Sequence, residues 1–273
     1  MSLVNMNFQS QYLGGNTEIT VILPDKPWEE EPKKFYDRKK KYPVLWLLHG
    51  TYGDHTDWLR KSNIEVYACE KDLIVVCPSG MNANYANWPN FGMGYAMYDF
   101  FFEELMPLIY GWFPASDKRE DNFIAGLSMG ARGTCVYAFS HPEKFAAAAA
   151  LSGTPRNFAT MPEREPEMWA RMEKASHNYE NMEAFLNSPE NTWKIVTEKA
   201  GTGELPRLYF ACGEDDMLYQ AFLDFREYAK EIGLDATFES IPGYRHEWRF
   251  WDLTIQKALS FFGMDRMYAG NPY

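Results

Sequence analysis

Short, almost wholly apolar segments that end in glycine recur along this chain and constrain its fold more than any other feature. Residues 42–50, 72–80 and 122–130 read YPVLWLLHG, DLIVVCPSG and NFIAGLSMG. Because neither face of such a segment is polar, each is typical of a strand that is covered on both faces, as in a parallel sheet. Further strands are predicted at 16–23, 207–213 and 235–243, whereas the alanine-rich residues 144–153 are ambiguous between helix and strand.

Apolar residues at helical spacing lie between these strands, at 97–113, 131–141, 221–233 and 246–263. The alternation predicts an α/β fold with a mainly parallel central sheet flanked by helices. Residues 154–206 interrupt it, since they are rich in Met, Trp, Glu, Asn and Pro and contain no convincing strand. We interpret them as a helical insertion over one edge of the sheet and a candidate lid. No repeat or linker requires a second domain, so we expect a single domain over residues 1–273.

The charge balance excludes several classes of partner. Lys and Arg number 27 and Asp and Glu 38, so the formal net charge is −11. A nucleic-acid binder or an electrostatic membrane anchor would need a basic face instead. No apolar stretch has the roughly 18 residues of a membrane span, and the first residues do not resemble a signal peptide. The four cysteines form no C-x-x-C pair. We therefore expect a cytoplasmic protein without metal or cofactor, and whether it forms a homo-oligomer stays open.

The segment Gly126-Leu127-Ser128-Met129-Gly130 matches the motif G-x-S-x-G, between a predicted strand and a predicted helix. Such a sharp strand-to-helix turn holds a nucleophile in a strained conformation, where side chains at the glycine positions would clash. The serine also lies at a helix N-terminus, where the dipole favours developing negative charge. Ser128 is therefore the predicted nucleophile, and a plain glycine-rich turn is the structural alternative.

Serine needs a base to take its proton. In the fold that carries this motif, the order along the chain is serine, acid, histidine, which excludes His49 and His55. His141 follows the helix behind the serine, and His177 falls in the insertion, where a solvated histidine is the simpler interpretation. His246 follows the last predicted strand, at the carboxyl edge of the sheet where α/β sites form. We predict that His246 is the base.

The acid is expected in the loop after the strand at 207–213, where three consecutive carboxylates occur: Glu214, Asp215 and Asp216. Their position between nucleophile and base makes one of them the predicted orienter of the imidazole. Each could equally belong to an acidic surface turn, and local reasoning does not choose between Asp215 and Asp216.

Backbone N–H groups should form the oxyanion hole. The candidates are Met129, which follows the nucleophile, and the loop after the early H-G, where Thr51 N–H comes first and Tyr52 N–H second. Candidate substrate-binding side chains are Tyr52 in that loop, Trp88 in an aromatic segment and Trp169 in the insertion. For Trp88, packing is an equally good interpretation, because amphipathic aromatics serve both purposes.

Together these segments resemble the esterase D-like branch of the α/β-hydrolases, which includes tributyrin esterases, S-formylglutathione hydrolases, and acetyl-xylan and feruloyl esterases. The matching segments are LLHG (47–50), PSG (78–80), EEL (103–105), GLSMGARG (126–133), HPEKF (141–145), LSG (151–153), CGEDD (212–216) and PGYRHEW (242–248). The resemblance implies an α/β-hydrolase fold and a serine esterase without a cofactor. Its G-x-x-D pattern implies Asp216 as the acid, and its H-E-W pattern supports His246.

The resemblance also implies a substrate class: acetyl or other short-chain esters of a small molecule or an acylated sugar. S-formylglutathione hydrolases usually carry a cysteine after H-G, but residues 51–58 here read TYGDHTDW. The thioesterase activity is therefore the weaker alternative. The usual Gly-Gly after the nucleophile is Gly130-Ala131 here, a small change. A non-catalytic binding member of the fold is an alternative of another class, although such a member would be expected to lack the serine, base or acid.

Overall fold

The strands of the computed structural model, which describes residues 2–37 and 39–265, form one large sheet and one small one. The strands are β1 (Ser2–Ser10), β2 (Gly15–Leu23), β3 (Val44–Leu48), β4 (Ile74–Pro78), β5 (Asn87–Trp88), β6 (Tyr95–Ala96), β7 (Asn122–Leu127), β8 (Ala147–Leu151), β9 (Arg207–Gly213) and β10 (Ala236–Ile241). The large sheet has the order β1-β2-β4-β3-β7-β8-β9-β10. All pairs from β4 to β10 are parallel, whereas β1 and β2 add an antiparallel hairpin at one edge.

Each predicted strand is present, so the mainly parallel α/β sheet is confirmed. The ambiguous alanine-rich segment forms β8, which lies between β7 and β9 with every residue buried. Tertiary context thus overrides the helix propensity of alanine. The sequence analysis did not predict β1, whose residues alternate between exposed and half-buried positions.

Helices cover both faces of the sheet. They are α1 (Pro32–Asp37), α2 (Asp57–Lys61), α3 (Ile64–Glu70), α4 (Met97–Asp99), which continues through a π-helical turn into α5 (Met106–Trp112), α6 (Met129–Ser140), α7 (Met161–Arg164), α8 (Pro166–Ser176), α9 (Met182–Leu186), α10 (Thr192–Lys199), α11 (Tyr219–Glu231) and α12 (Trp248–Phe261). In β3, Trp46 faces the core beneath α6 and α11, and Leu45 faces the core beneath α3 and α12. This alternation explains why the strand is apolar throughout. In the part of the chain described, no helix is long and apolar enough to cross a membrane.

The insertion at 154–206 consists of α7 to α10 and irregular segments, without a strand among its residues. It has a small apolar cluster of its own, formed by Phe158, Met161, Met172, Ala175 and Phe185. We call these five residues the insertion cluster. The insertion follows β8, so it begins at the carboxyl edge of the sheet, next to the turn that contains Ser128.

Candidate active site

Ser128 occupies the turn between β7 and α6, with a backbone φ of +53°. Non-glycine residues rarely adopt this conformation, which is found at strained functional turns. Space explains the flanking glycines. A Cβ on Gly126 would lie 2.4 Å from the Gly130 carbonyl oxygen, and a Cβ on Gly130 would lie 2.5 Å from that of Leu48. The strained serine turn that the motif predicts is therefore what the backbone adopts.

Three side chains from distant parts of the chain meet at this turn. Ser128 Oγ lies 2.9 Å from His246 Nε2, and His246 Nδ1 lies 2.9 Å from Asp216 Oδ2. Both are hydrogen-bond distances. The loops after β9 and β10 supply the acid and the histidine, so parallel strands bring all three residues to one edge of the sheet. This is the arrangement in which an imidazole can accept a serine proton while a carboxylate fixes its tautomer.

The Asp216 carboxylate lies in a dry environment, because its side chain is 0% exposed. Burial alone would raise its pKa. Hydrogen bonds from His246 and from the Leu218 N–H, together with the His246 charge, outweigh burial and hold the pKa of Asp216 below its ordinary value. The Leu218 N–H lies 2.8 Å from Oδ1, the oxygen further from His246. Asp216 is thus held ionised, and it can stabilise positive charge on the imidazole.

The structure separates the three consecutive carboxylates. Glu214 and Asp215 are exposed, whereas Asp216 is buried against His246. The Asp215 N–H donates to the Tyr244 carbonyl at 3.0 Å. The residue that the G-x-x-D resemblance implies is therefore the one in contact with the histidine.

His49 lies beneath the loop after β3, and both of its ring nitrogens make hydrogen bonds. Its Nδ1 lies 2.7 Å from the Gly50 carbonyl oxygen, and its Nε2 lies 2.8 Å from the Gly80 nitrogen. Because the Gly80 N–H is a donor, Nε2 accepts and the proton is on Nδ1. Burial is the largest effect on this group and lowers the pKa of His49, so the ring is neutral. His49 therefore braces the loop and is not a base.

This loop passes beside Ser128, since a Cβ on Gly50 would lie 3.5 Å from Ser128 Cβ. The Gly50 carbonyl points towards the His49 ring. In a trans peptide the following N–H, that of Thr51, points in the opposite direction. Thr51 therefore stays a candidate for the oxyanion hole.

The other oxyanion candidates differ in their surroundings. The Tyr52 N–H donates to Asn82 Oδ1 at 2.8 Å. Because this N–H already has a partner, we no longer consider it a donor of the oxyanion hole. Met129 is the first residue of α6. The first N–H groups of a helix have no partner within it, so the Met129 N–H suits an anion next to Ser128.

The three predicted substrate-binding side chains do not form one group. Trp88 and Trp169 both pack against the insertion cluster, and Trp169 contacts Phe158 edge-on with a centroid distance of 5.9 Å. Trp88 also donates its Nε1–H to the Ala83 carbonyl at 2.8 Å. Tyr52 is 86% exposed and is not part of that cluster. Trp88 and Trp169 thus have packing roles, whatever else they contact.

A cleft of about 880 Å³ lies between the start of the insertion and α11. Its walls include Arg156, Trp193 and Tyr228, and also Met217, the neighbour of Asp216. Neither Ser128 nor His246 lines it. The cleft is therefore beside the site and not its centre.

Sequence reasoning missed two residues close to the histidine. Trp251 Nε1 lies 3.0 Å from Ser152 Oγ, and the Trp251 ring meets the His246 ring edge-on with centroids 5.0 Å apart. The LSG segment was part of the resemblance, but its spacing gave no reason to connect Ser152 with Trp251. Trp251 is one apolar residue among several in the last helix, so the sequence gave it no signal.

Comparisons with known proteins agree with this architecture. The family model described as "Putative esterase" matches residues 10–262. An acetyl esterase of Caldicellulosiruptor saccharolyticus is 30% identical over an alignment of 269 residues that covers 96% of this chain and 98% of that relative. Among solved structures, the substrate-bound fluorophosphonate-binding serine hydrolase F (FphF) of Staphylococcus aureus is 31% identical with a TM-score of 0.79, covering 96% of this chain and 98% of that one.

A second solved structure, the S-formylglutathione hydrolase FrmB of Staphylococcus aureus, is 31% identical with a TM-score of 0.75 and the same coverage of both chains. The resemblance to esterases of this kind is therefore confirmed, as is the α/β-hydrolase fold. With the family model matching almost the whole described chain, we conclude that this chain belongs to the esterase family and is a serine carboxylic-ester hydrolase.

Proposed function

We propose that the enzyme hydrolyses short-chain, acetyl-like esters through an acyl-enzyme, with Ser128 as nucleophile, His246 as base and Asp216 as orienter. The observation that carries this proposal is the continuous hydrogen-bonded path from Ser128 Oγ through the His246 ring to Asp216, with 2.9 Å at each step. A serine at a strained turn next to a helix N-terminus adds support.

In acylation, Ser128 Oγ attacks the ester carbonyl carbon while His246 Nε2 takes the hydroxyl proton. The carbonyl oxygen becomes an oxyanion, which the N–H groups of Met129 and Thr51 would stabilise. The carbon–oxygen bond to the alcohol then breaks, and His246 gives its proton to the departing oxygen. Asp216 keeps its negative charge throughout and stabilises the imidazolium.

Deacylation repeats these steps with water. His246 removes a proton from the water, whose oxygen attacks the acyl carbon, and the second tetrahedral intermediate collapses by breaking the bond to Ser128 Oγ. The proton returns to Ser128, and the carboxylic acid leaves. Each cycle consumes one water and releases one acid and one alcohol.

Two observations favour a short acyl group. The curated relative at 30% identity is named an acetyl esterase. In addition, the insertion follows Gly153 at the end of β8, the strand that pairs with the one leading to Ser128. An insertion that begins at this edge of the sheet is placed where it would limit the depth of an acyl site. The alcohol is proposed to belong to a small molecule or an acylated sugar.

Thioester hydrolysis is the second candidate, and the similarity to an S-formylglutathione hydrolase favours it. The loop after H-G lacks the cysteine that such enzymes usually carry, and Thr51 and Tyr52 stand there instead. This loop borders the proposed oxyanion hole, so the difference bears on substrate choice. We therefore rank the oxygen ester first.

A fluorophosphonate probe and a substrate panel test the proposal together. The probe should label the wild-type enzyme and fail to label Ser128→Ala, and labelling that persists in the variant would contradict the assignment. The panel should contain p-nitrophenyl acetate, butyrate and octanoate, acetylated xylo-oligosaccharide, methyl ferulate and S-formylglutathione. The highest kcat/KM is expected for an acetyl ester, whereas a clear preference for S-formylglutathione would establish the second candidate.

A further inference from the structure

Tyr85 is a wholly buried side chain that contacts the loop after β3. Its hydroxyl oxygen lies 3.0 Å from the His49 carbonyl oxygen. Because a carbonyl can only accept, the Tyr85 O–H is the donor. Burial raises the pKa of Tyr85 well above its ordinary value, so the hydroxyl keeps its hydrogen at neutral pH. The loop that leads to Thr51 therefore has a fixed donor at its start.

The ring of Tyr85 also packs against α6, the helix that begins after Ser128. A Cβ on Gly133 would lie 2.5 Å from Tyr85 Cδ2, so the ring fills the space that a side chain would need there. Gly130, about one helical turn earlier, lies against the same loop, since a Cβ on it would lie 2.7 Å from the His49 carbonyl oxygen. The loop, the Tyr85 side chain and the first turn of α6 thus meet at one carbonyl.

Two consecutive carbonyls of the loop are held by hydrogen bonds. The His49 carbonyl accepts from Tyr85. The Gly50 carbonyl accepts from His49 Nδ1 at 2.7 Å and from the Gly53 N–H at 3.1 Å. Because a peptide group is planar, a fixed carbonyl also fixes the N–H that follows it, which for Gly50 is the Thr51 N–H. Loss of the Tyr85 donor would leave the His49 carbonyl without this partner in a buried place and favour a rotated peptide.

The backbone conformation at Tyr85 also sets it apart from an ordinary core residue. Its φ is +58°, and that of the preceding Asn84 is +53°. Bulky residues seldom adopt this left-handed conformation. It persists where the surrounding structure holds it in place, and such positions cluster at functional sites.

We propose that Tyr85 is a positioning residue for the ester hydrolysis: it holds the loop after β3 in a fixed position relative to α6, so that the Thr51 and Met129 N–H groups face the same oxyanion. This rests on the proposed function, in which those two groups form the oxyanion hole. Tyr85 acts on the reaction through the loop and the helix that it joins.

Tyr85→Phe tests the proposal, because it removes the hydroxyl and keeps the ring that packs against Gly133. For p-nitrophenyl acetate we expect kcat/KM to fall by about tenfold, less than the about 10²- to 10³-fold that loss of a whole oxyanion-hole donor costs. The fall should lie in kcat, with KM near the wild-type value, because the oxyanion forms only after attack.

A short-chain trifluoromethyl ketone gives a readout that a merely structural role would not move. Ser128 Oγ adds to its carbonyl carbon, the hydroxyl proton passes to His246, and the carbonyl oxygen becomes an oxyanion in the proposed hole. The inhibition constant of the ketone in Tyr85→Phe should rise by the same factor by which kcat/KM falls. The alcohol with the same carbon skeleton forms no adduct, so its inhibition constant should stay unchanged.

Tyr137→Phe is the matched control. Tyr137 is also wholly buried, and its hydroxyl donates to a main-chain carbonyl, that of Met97, at 3.2 Å. Met97 is the first residue of α4 and does not belong to the loop after β3. Neither kcat/KM nor the inhibition constant of the ketone should change in this variant.

The outcomes separate this inference from the proposed function. If Ser128→Ala is inactive while the ketone binds Tyr85→Phe as it binds the wild type, or while Tyr85→Phe and Tyr137→Phe change equally, Tyr85 is an ordinary core residue and the inference is overturned. Full activity in Ser128→Ala would instead refute the nucleophile and the proposed function. If Tyr85→Phe does not fold, Gly133→Ala decides, because its added Cβ would displace the Tyr85 ring. It should weaken ketone binding likewise, and an unchanged inhibition constant would overturn the inference.

Discussion

Arg132 and Glu190 form a buried ion pair, with 2.8 Å between Nη2 and Oε2, that joins α6 to the insertion. The Glu190 side chain is 2% exposed and that of Arg132 is 16% exposed. Arg132 also donates to the Glu190 carbonyl at 3.2 Å, and the Tyr179 hydroxyl donates to Oε1 at 3.0 Å. Because α6 starts at the nucleophile turn, this contact ties the insertion to the base of the site. A lid that opened here would have to break it.

This pair predicts a large stability effect when one partner is removed. Glu190→Ala leaves the Arg132 charge in a largely dry site, and breaking such a pair costs about 3–5 kcal/mol of the free energy of unfolding. Urea unfolding at pH 7 measures it. Asp224→Asn is the control, since it breaks the exposed pair with Arg164 and should cost less than about 0.5 kcal/mol. Equal effects of the two changes would show that the insertion is not held by this pair.

Removal of the nucleophile should abolish turnover without loss of the fold. Ser128→Ala deletes one hydroxyl at a half-buried turn, so it creates no large cavity. We expect kcat to fall by about 10³-fold or more, and His246→Ala to have a comparable effect. The double variant should be little worse than either single one, because the residues act as a unit. Full activity in Ser128→Ala, measured on folded protein with p-nitrophenyl acetate, would refute the serine mechanism.

The two neighbouring aspartates should differ sharply. Asp216→Asn keeps the volume but removes the charge next to His246 Nδ1, so kcat should fall by orders of magnitude. Asp215→Asn changes an exposed side chain and should cost little. The two variants serve as controls for each other, because both remove one negative charge from the same loop. The reverse order of activities would mean that the resemblance misplaces the acid by one residue.

The buried His49 predicts how stability depends on pH. Its pKa is lowered in the folded protein, so below about 6.5, the ordinary value, the unfolded chain binds a proton more readily than the folded one. The free energy of unfolding therefore rises with pH in this range. The contribution of neutral His49 to the free energy of unfolding is fully present above about pH 6.5, and it is lost as the pH falls towards the lowered pKa. Urea midpoints at pH 5, 6 and 7 measure the slope.

His49→Gln should make that slope shallower, because the proton-binding group is gone. His141→Gln is the control, since it removes a partly exposed histidine at the end of α6. An unchanged slope in His49→Gln would contradict the link between this ring and acid stability.

The part of the site that the sequence predicts is the part that local patterns encode. The serine turn is predictable because glycine is required at positions where a Cβ would collide with neighbouring backbone. His246 is predictable from its order in the chain and its position after a strand. The acid was different. Three consecutive carboxylates look alike locally, and the turn after β9 decides which of them is buried; only the spacing in the resemblance indicated Asp216. The contact between Ser152 and Trp251 was out of reach, because it depends on how the end of β8 lies against α12.

In the fold too, the elements with a strong local sequence pattern were predicted and those with a weak pattern were not. Strands buried on both faces are visible as apolar runs, whereas the edge strand β1 has a weaker signal: Val4, Met6 and Phe8 alternate with more exposed residues. A half-covered edge strand leaves only this period of two. The helices at 57–70 were not predicted either, since each is less than two full turns long. Such short helices carry too few residues for a clear apolar stripe.

The insertion bears on the length of acyl chain that the enzyme accepts. Trp169 contacts Phe158 of the insertion cluster. Trp193 instead stacks on Tyr228 of α11, with centroids 4.1 Å apart, and lines the cleft beside Met217. Either ring could wall the acyl site, because Trp fills adaptable apolar surfaces. Purely structural packing is the competing interpretation, and both rings have packing partners.

We predict that the insertion limits the depth of the acyl site, so that kcat/KM falls steeply from p-nitrophenyl butyrate to octanoate. Each methylene buried in an apolar site contributes about 0.8 kcal/mol to binding. Octanoate has four more methylenes than butyrate, and their binding energy is lost where a wall keeps them out of the site. Trp169→Ala and Trp193→Ala, made separately, test this. At least one should raise activity on octanoate relative to butyrate by roughly tenfold, since an opened wall recovers part of that binding energy. If both variants lower the Tm but keep the wild-type chain-length profile, the insertion is structural and does not wall the acyl site.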